Sequence, residues 1–223
     1  MTDHDKARVA VLGRIRAALA AAPPAAVVVP RDYDCEPLSG GGDVARFAET
    51  VAEYRAQVTR IDAAAIGATV ASLVPTGRLV VIPGDLPAAW VEGVDTLADN
   101  PADPLSITQL ETAAAVVTGC VVGIAATGTI VLDAGKTQGR RVLTLIPDHH
   151  ICVVFTDQIV DTVPQAFAAL DPSRPLTFIS GPSATSDIEL NRVEGVHGPR
   201  TLDVLLVTGM TLQNSVNSPA RTA

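Results

Sequence analysis

The polar residues whose types and spacing could do chemistry fall in two stretches of the chain. In the first, residues 123–133, the run Thr127, Gly128, Thr129 interrupts an apolar segment that resumes at once. A glycine lets backbone amides approach a ligand closely, and hydroxyls beside it can both donate and accept hydrogen bonds. The same pattern is typical of a bulge or tight bend inside a sheet. From the residues alone, both interpretations carry equal weight.

The second stretch, residues 180–200, is rich in hydroxyls and acids. A strand is predicted to end at Ser180 and a helix to begin near Ser183. Free amides and hydroxyls at a helix start, beyond the carboxyl end of a strand, form a site for an anion. Helix capping accounts for one hydroxyl and one carboxylate. It does not account for the whole set, so we favour binding over capping for Ser183, Thr185, Ser186, Asp187 and Glu189.

Three histidines lie near these stretches. His197 stands between two glycine-led turns and could carry a proton or donate to an anion. A turn histidine bonded to the backbone is an equally good interpretation. His149 and His150 head a predicted strand, where neighbours face opposite sides, so at most one of them can share a site with His197. No HxH or HxxxH spacing occurs, so no metal site is predicted.

Several motifs that mark enzymes and redox proteins are missing from the sequence. There is no GxSxG elbow, no Gly-rich dinucleotide or phosphate loop, and no iron–sulfur ligand run. We therefore predict no cofactor and find no complete catalytic constellation. The widely spaced cysteines Cys35, Cys120 and Cys152 are interpreted as buried thiols. Three cations follow the first stretch, namely Lys136, Arg140 and Arg141. They could neutralise a carboxylate or phosphate, but charges on exposed loops are common, so we interpret them as exposed loop charges.

Composition limits the class of protein. The 223 residues are 48% hydrophobic and 18% charged, which is ample material for a buried core. Only 3% are aromatic, and 16 Lys and Arg against 24 Asp and Glu give a net charge of −8, so nucleic-acid binding is not expected. The polar N-terminus predicts no secretory signal, and we expect a cytoplasmic protein. Residues 112–132 are uncharged but broken by glycines, so we predict two buried elements and no membrane span.

Alternating helical and strand patterns predict an α/β sandwich with a mainly parallel sheet. Helical spacing covers residues 3–20, 43–58, 62–73 and 157–170, with a short helix near 88–90. Apolar runs predict strands at residues 78–82, 115–122, 129–132, 142–146, 151–155, 176–180 and 202–207. We divide the chain into an N-terminal helix with a Pro/Gly-rich linker (1–42), an α/β domain (43–210) and a polar tail (211–223). A tethered N-terminal helix commonly docks on another subunit, which predicts a homo-oligomer.

Four ordered motifs together resemble the LUD-domain family. They are Ala-Thr-Gly-Thr-Ile-Val-Leu at 126–132, Arg-Arg-Val-Leu-Thr-Leu-Ile-Pro-Asp-His-His-Ile at 140–151, Ser-Gly-Pro-Ser-Ala-Thr-Ser-Asp-Ile-Glu at 180–189 and Gly-Val-His-Gly-Pro at 195–199. The similarity runs from about residue 43 to residue 207. It implies a NagB/RpiA/CoA-transferase-like fold, a three-layer α/β/α sandwich, here with an N-terminal helical extension.

The resemblance also implies a role in bacterial oxidation of L-lactate to pyruvate, alongside two iron–sulfur partner proteins. This chain lacks the cysteine clusters of such partners. Many family members carry Glu where this chain has Ala126. If that Glu is catalytic, this chain either lacks the role or takes a carboxylate from Asp187 or Glu189. His150 matches the family's histidine after the proline, and His149 is incidental in that comparison.

These observations give one leading hypothesis and two alternatives. The leading one is an accessory subunit of lactate utilization that binds a small carboxylate or phosphate. Its site would comprise ligand-binding Thr127, Gly128, Thr129, Ser183, Thr185, Asp187 and His150, with Glu189 and His197 as catalytic candidates. One alternative is an independent enzyme acting on an acyl or phosphorylated small molecule, with Glu189 as its acid or nucleophile. The other is a scaffold that docks iron–sulfur proteins through its N-terminal helix.

Overall fold

The computed structural model describes residues 3–21, 28–33, 42–182, 184–185, 193–194 and 198–209. The chain divides into two compact units, with the boundary between Tyr33 and Asp34. In the first unit, helix α1 (Asp3–Ala21) occupies the segment for which helical spacing predicts a helix. Among the described residues, no helix combines the length and apolar character needed to cross a bilayer.

The second unit contains short helices and many strands. Its helices are α2 (Val44–Glu53), α3 (Ile66–Leu73), α4 (Ile107–Thr112) and α5 (Val163–Ala169), with 3-10 turns at Ala63–Ala65, Ala88–Val91, Arg141–Thr144 and Thr156–Gln158. Its described strands are β1 (Gln57–Asp62), β2 (Val80–Pro83), β3 (Thr96–Asp99), β4 (Ala115–Thr118), β5 (Val122–Ile124), β6 (Thr129–Leu132), β7 (His149–Phe155), β8 (Ile159–Val160), β9 (Thr177–Ile179), β10 (Ala184–Thr185), β11 (Val193–Glu194) and β12 (Thr201–Thr208).

Six strands form a parallel sheet in the order β1-β12-β7-β4-β2-β3. Strand β12 pairs with β7 from Thr201↔His149 to Val207↔Phe155. The inner strands are apolar along nearly their whole length because helices or further strands cover both faces of the sheet. The prediction of an α/β fold with a mainly parallel sheet is confirmed.

Each face of this sheet has its own core. On one face, α3 and the turn at Ala88–Val91 pack on Val117, Val153 and Leu205. On the other, Phe47 and Val51 of α2 pack with Cys152 and Val154. That second face also meets a four-stranded sheet in the order β8-β5-β6-β9, whose strands β5 and β6 are covered by α5. The sandwich therefore carries a small second sheet in one of its layers.

Several predicted boundaries are wrong. The expected strand over residues 142–146 is a 3-10 turn, in which Leu143 is buried while Leu145 is exposed. The helix expected over 157–170 begins only at Val163, because Ile159 and Val160 pair with β5 as a strand. The helix expected over 43–58 ends at Glu53, and the next residues form β1. The run 115–122 divides between β4 and β5, which belong to different sheets.

The prediction of a helix that begins near Ser183 is also wrong for the residues of it that the structure describes, Ala184 and Thr185. Ala184 and Thr185 pair antiparallel with Glu194 and Val193 as strands β10 and β11. Strand pairing supplies backbone partners that a helix start would leave free. The remainder of that predicted helix, and the tail 211–223, lie outside the described residues.

Gly128 closes the tight turn between β5 and β6. Its φ is +56°, and a Cβ there would lie 2.7 Å from the backbone carbon of Thr50 and the nitrogen of Val51. The turn is held on its other side, where the amides of Ala125 and Ala126 donate to the carbonyls of Val160 and Asp161 at 2.8 and 3.0 Å. Gly128 is thus needed both for its left-handed backbone and for the approach of the turn to α2.

We expect Gly128→Ala to destabilise the fold by about 2–4 kcal/mol, from the left-handed backbone and the overlap with α2 together. Gly77→Ala is the matched control, because Gly77 has a φ of +75° and nothing within 4 Å of its would-be Cβ. It should cost only about 1 kcal/mol, the backbone contribution alone. Urea unfolding of both variants measures the difference. Equal losses would mean that the contact with α2 contributes nothing.

Candidate functional site

Three hydroxyls form a continuous row where the two polar stretches meet. Oγ1 of Thr127 and Oγ1 of Thr129 are 2.7 Å apart, and Oγ1 of Thr129 lies 2.8 Å from Oγ of Ser180. Antiparallel pairing of β6 with β9, with Ile130 opposite Ile179, puts Thr129 beside Ser180. We call these three residues the hydroxyl row. Thr129 is buried, Thr127 is half-buried and Ser180 is exposed, so solvent reaches the row at its ends.

The row lies against the carboxyl end of α2. Gly128 rests on the backbone of Thr50, and a Cβ at Gly181, whose φ is +82°, would lie 2.5 Å from the carbonyl oxygen of Tyr54. Tyr54 directly precedes the turn into β1, which begins at Gln57. The hydroxyl row therefore lies towards the amino edge of the large sheet, the edge at which its strands begin. The sequence predicts a site beyond the carboxyl ends of strands, and Ser180 does follow the end of β9, but β9 belongs to the smaller sheet.

The other predicted site residues have different outcomes. Ser183, Ser186, Asp187, Glu189 and His197 lie outside the described residues, so their roles stay predictions. Of Thr185 only the backbone is described, on β10. The second stretch returns to the amino edge at its other end, since Arg200 precedes β12 and the Thr201 amide donates to the Asp148 carbonyl at 3.0 Å.

His150 is buried in the core between sheet layers. It is 1% exposed, and its Nε2 lies 2.8 Å from Oγ1 of Thr118. No hydrogen bond within the described part of the chain joins it to the hydroxyl row. The structure therefore does not bring His150 together with Thr127 and Thr129, and its ligand-binding role stays a prediction.

Two buried thiols lie beside His150. The hydrogen bond from Cys120 lowers the pKa of Cys152, with further contributions from His150 and Thr118. The same bond, together with burial, raises the pKa of Cys120. Both cysteines are free and buried, as the sequence indicates, while Cys35 lies outside the described residues. The pair belongs to the core, since neither side chain is more than 4% exposed.

His149 faces the other side of β7 and has an acid partner. Its Nε2 lies 2.6 Å from Oδ2 of Asp203, the residue of β12 opposite Ile151. Nearby, Nε of Arg200 lies 3.7 Å from Oδ1 of Asp148. Sequence analysis treated His149 as incidental. The Asp203 partner could be found from the sequence only after the register of β12 against β7 was known.

A concavity lies at the carboxyl edge of the large sheet, where its strands end. It has a volume of about 500 Å³. Its walls come from the ends of β2 and β3 and from the loop after β6, namely Pro83, Gly84, Asp85, Asp99, Asn100, Pro101, Ala134, Gly135, Gly139 and Arg140. We call it the carboxyl-edge cavity.

Arg140 and Asp99 form a two-point ion pair in the wall of this cavity. Nε of Arg140 lies 2.9 Å from Oδ2 of Asp99, and Nη2 lies 2.5 Å from Oδ1. Nη2 also donates to the carbonyl of Leu105 at 3.0 Å, and the Leu105 amide donates to Asp99 at 2.9 Å. Hydrogen bonding by Arg140 lowers the pKa of Asp99, and the same contact raises the pKa of Arg140.

Comparison with known proteins identifies the family and agrees with the fold. A model of the LUD domain matches residues 44–207. The chain belongs to the LUD-domain family. It is 49% identical over 176 residues to lactate utilization protein C of Deinococcus radiodurans, which covers 77% of this chain and 82% of that one. To lactate utilization protein C of Geobacillus sp. it is 35% identical over 127 residues, 52% of each chain.

A solved structure supports the same assignment. The crystal structure of a DUF162-family protein from Deinococcus radiodurans matches with a TM-score of 0.62 at 43% identity. The match covers 74% of this chain and 96% of the other. The sequence resemblance to the LUD-domain family is thus confirmed.

The sequence analysis of this LUD domain noted Arg140 but interpreted it as an exposed loop charge, and it missed Asp99. The acid was missed because no strand is predicted between residues 82 and 115. A signal was present, since Thr96–Asp99 is a short run that ends in an acid within that segment. What the sequence could not give is the pairing of Asp99 with Arg140, which lies 41 residues further along the chain.

We expect Asp99→Asn to destabilise this LUD domain by about 2 kcal/mol at pH 7, because Arg140 loses a charged acceptor. The pKa of Asp99 is lowered from 3.8, so the pair stabilises the fold above that pH and is lost as pH falls through the lowered value. The difference in unfolding free energy between wild type and Asp99→Asn, measured by urea unfolding, should therefore disappear below the lowered pKa of Asp99. Asp95→Asn, at an exposed position nearby, is the control, and a gap that does not depend on pH would contradict the assignment.

Proposed function

We propose that this LUD-domain protein is a cytoplasmic accessory protein of bacterial lactate utilization that binds a small carboxylate or phosphate at the hydroxyl row. The names of its relatives, at 49% and 35% identity, support the role in lactate utilization. The contact between Thr129 and Ser180 supports the location of the site, because it joins two polar stretches that are 51 residues apart.

The chemistry of the hydroxyl row suits an anion. Each hydroxyl has one hydrogen to donate, so a row of three uses two of them internally and leaves one hydrogen directed outward at an end. Hydrogen bonds in series polarise one another and strengthen that terminal donor. Thr127 and Ser180 are the two ends and are the accessible members of the row. A carboxylate or phosphate oxygen of a ligand would accept there.

The remaining polar residues complete this proposal. Ser183, Thr185 and Asp187 would contact the ligand beside the hydroxyl row, and His197 would donate to it or carry its proton. Glu189 would act as the acid if the protein also catalyses. Both ends of the second stretch lie near the amino edge of the large sheet, at Ser180 and at Arg200, which supports a site that this stretch covers.

We expect Thr129→Val and Ser180→Ala to weaken binding of L-lactate, pyruvate or inorganic phosphate about 10–100-fold, since each removes a hydroxyl that polarises the terminal donor. Isothermal titration of the full chain measures the affinities. Thr59→Val, an exposed strand position on β1, is the matched control and should bind like wild type. Affinities unchanged in both site variants would place the ligand elsewhere.

The partner proposal rests on helix α1 and on the family resemblance. Residues Val9, Leu12, Ile15 and Leu19 recur at helical spacing and are exposed. We propose that this stripe contacts the iron–sulfur proteins of the same lactate utilization system, or a second copy of the chain in a homo-oligomer. Exposed apolar side chains in such a stripe are a common feature of helix docking surfaces.

We expect the double variant Ile15→Lys, Leu19→Lys to lose co-purification with the co-expressed iron–sulfur proteins. Ala10→Lys, Ala17→Lys adds the same charge to the opposite side of α1 and should keep it, since these positions lie about 180° around the helix. Light scattering of both variants reports on self-association. Retained co-purification in the first variant would contradict docking through this stripe.

A further inference from the structure

The carboxyl-edge cavity is separate from the hydroxyl row. The row lies at the start of β6, and the loop that lines the cavity begins where β6 ends. With a rise of roughly 3.3 Å per residue, a four-residue strand puts about 13 Å between them. We propose that the carboxyl-edge cavity is a second ligand site, for a hydroxylated metabolite that carries a single oxyanion group, either a carboxylate or a phosphate.

The first support is position. In open α/β sheets ligands bind beyond the carboxyl ends of the parallel strands. The cavity lies there, at Pro83 of β2 and Asp99 of β3. Its volume of about 500 Å³ falls in the range of small-molecule sites and exceeds the needs of a three-carbon acid.

The second support is a loop held in a costly conformation. Ala134 and Thr137 have φ of 54° and 64°, which side-chain-bearing residues rarely adopt, and Gly139 has φ of 67°. Left-handed residues among right-handed ones turn backbone amides towards a common concave side, an arrangement that binds anions. Within the part of the chain that the structure describes, the amides of Ala134 and Gly139 make no hydrogen bond, and both residues line the cavity.

Contacts around the loop fix it in this form before any ligand arrives. The Thr137 amide donates to Oδ2 of Asp85 at 2.9 Å, and the Thr137 carbonyl accepts from the Gly119 amide at 2.9 Å. The Asp133 amide donates to the side chain of Gln138 at 2.6 Å. A preorganised set of donors binds an anion without the entropy cost of ordering the loop.

The third support is the oriented guanidinium of Arg140. Arg140 is oriented by Asp99 and by the Leu105 carbonyl, while its Nη1 makes no hydrogen bond to any described residue. Asp85, Asp99 and Arg140 together carry one net negative charge, because Asp99 cancels Arg140. Such a lining offers donors for one oxyanion but repels a polyphosphate.

The lining also provides acceptors. Asp85 uses Oδ2 for the Thr137 amide, and its Oδ1 has no partner among the described residues. The side-chain oxygen of Asn100 lies against Gly84, where any Cβ would overlap it. Carboxylate and amide oxygens, together with guanidinium and amide hydrogens, fit a ligand that has both hydroxyls and an oxyanion.

The test is a titration of the ¹⁵N-labelled full chain with sodium acetate, inorganic phosphate and D-gluconate, followed by amide and arginine Nε shifts. We expect saturable shifts at Ala134, Gly135, Gly139 and Arg140, and gluconate binding at least tenfold tighter than acetate. Whether phosphate or acetate binds tighter identifies the oxyanion. Saturable shifts only at Thr127, Thr129 and Ser180, or none at the cavity residues, would overturn the proposal, and the first of these would leave the proposed function intact.

Variants separate the contribution of the donors from that of the acceptors. Arg140→Gln should weaken all three probes at least tenfold, whereas Arg141→Gln, an adjacent arginine outside the cavity lining, should not. Asp85→Asn keeps an oxygen for the Thr137 amide and should remove only the advantage of gluconate over acetate. If Arg140→Gln fails to fold, Asp85→Asn and Gly84→Ala still test whether the carboxyl-edge cavity binds the ligand. Unchanged gluconate affinity in both variants would overturn the proposal.

Discussion

The parallel pairing of β12 between β1 and β7 is the constraint on which the rest of the molecule depends. Strands β7 and β12 are buried on both faces, so their backbone groups can find partners only in neighbouring strands. The loops are therefore confined to the two ends of such strands. The hydroxyl row lies towards the amino edge and the ion pair of Asp99 with Arg140 at the carboxyl edge.

Strand β6 joins these two regions although it belongs to the smaller sheet. Gly128 at its start lets the turn lie on α2, and the loop after Leu132 reaches over the ends of β2 and β3. Packing of the small sheet on α2 therefore fixes the position of the hydroxyl row, and the length of β6 sets the distance from it to the carboxyl-edge cavity. A change in the packing of β6 would therefore move both the hydroxyl row and the loop that lines the carboxyl-edge cavity.

Sequence patterns predicted the buried strands well and the marginal ones poorly, for physical reasons. The continuous apolar runs of β7 and β12 have no stable alternative to burial. Strand β1 was missed because, at the edge of the sheet, its side chains are mainly exposed, and because Val58 continues the helical spacing of Val51. The two residues of β8 are too few to show a period. Residues 142–146 are mainly apolar, yet the chain turns as a 3-10 helix between Arg140, held by Asp99, and Pro147.

The candidate site was predictable in composition but not in position. Hydroxyls at Thr127 and Thr129 could be read from the sequence, whereas their edge of the sheet depends on strand pairing, and the partnership of Asp99 with Arg140 depends on β3. The two regions also differ in kind. The hydroxyl row is neutral, so an anion held there draws on weak dipoles and needs a further donor, the role proposed for His197. The carboxyl-edge cavity holds its own oriented cation, so its selectivity depends on how much of the Arg140 charge Asp99 leaves for a ligand.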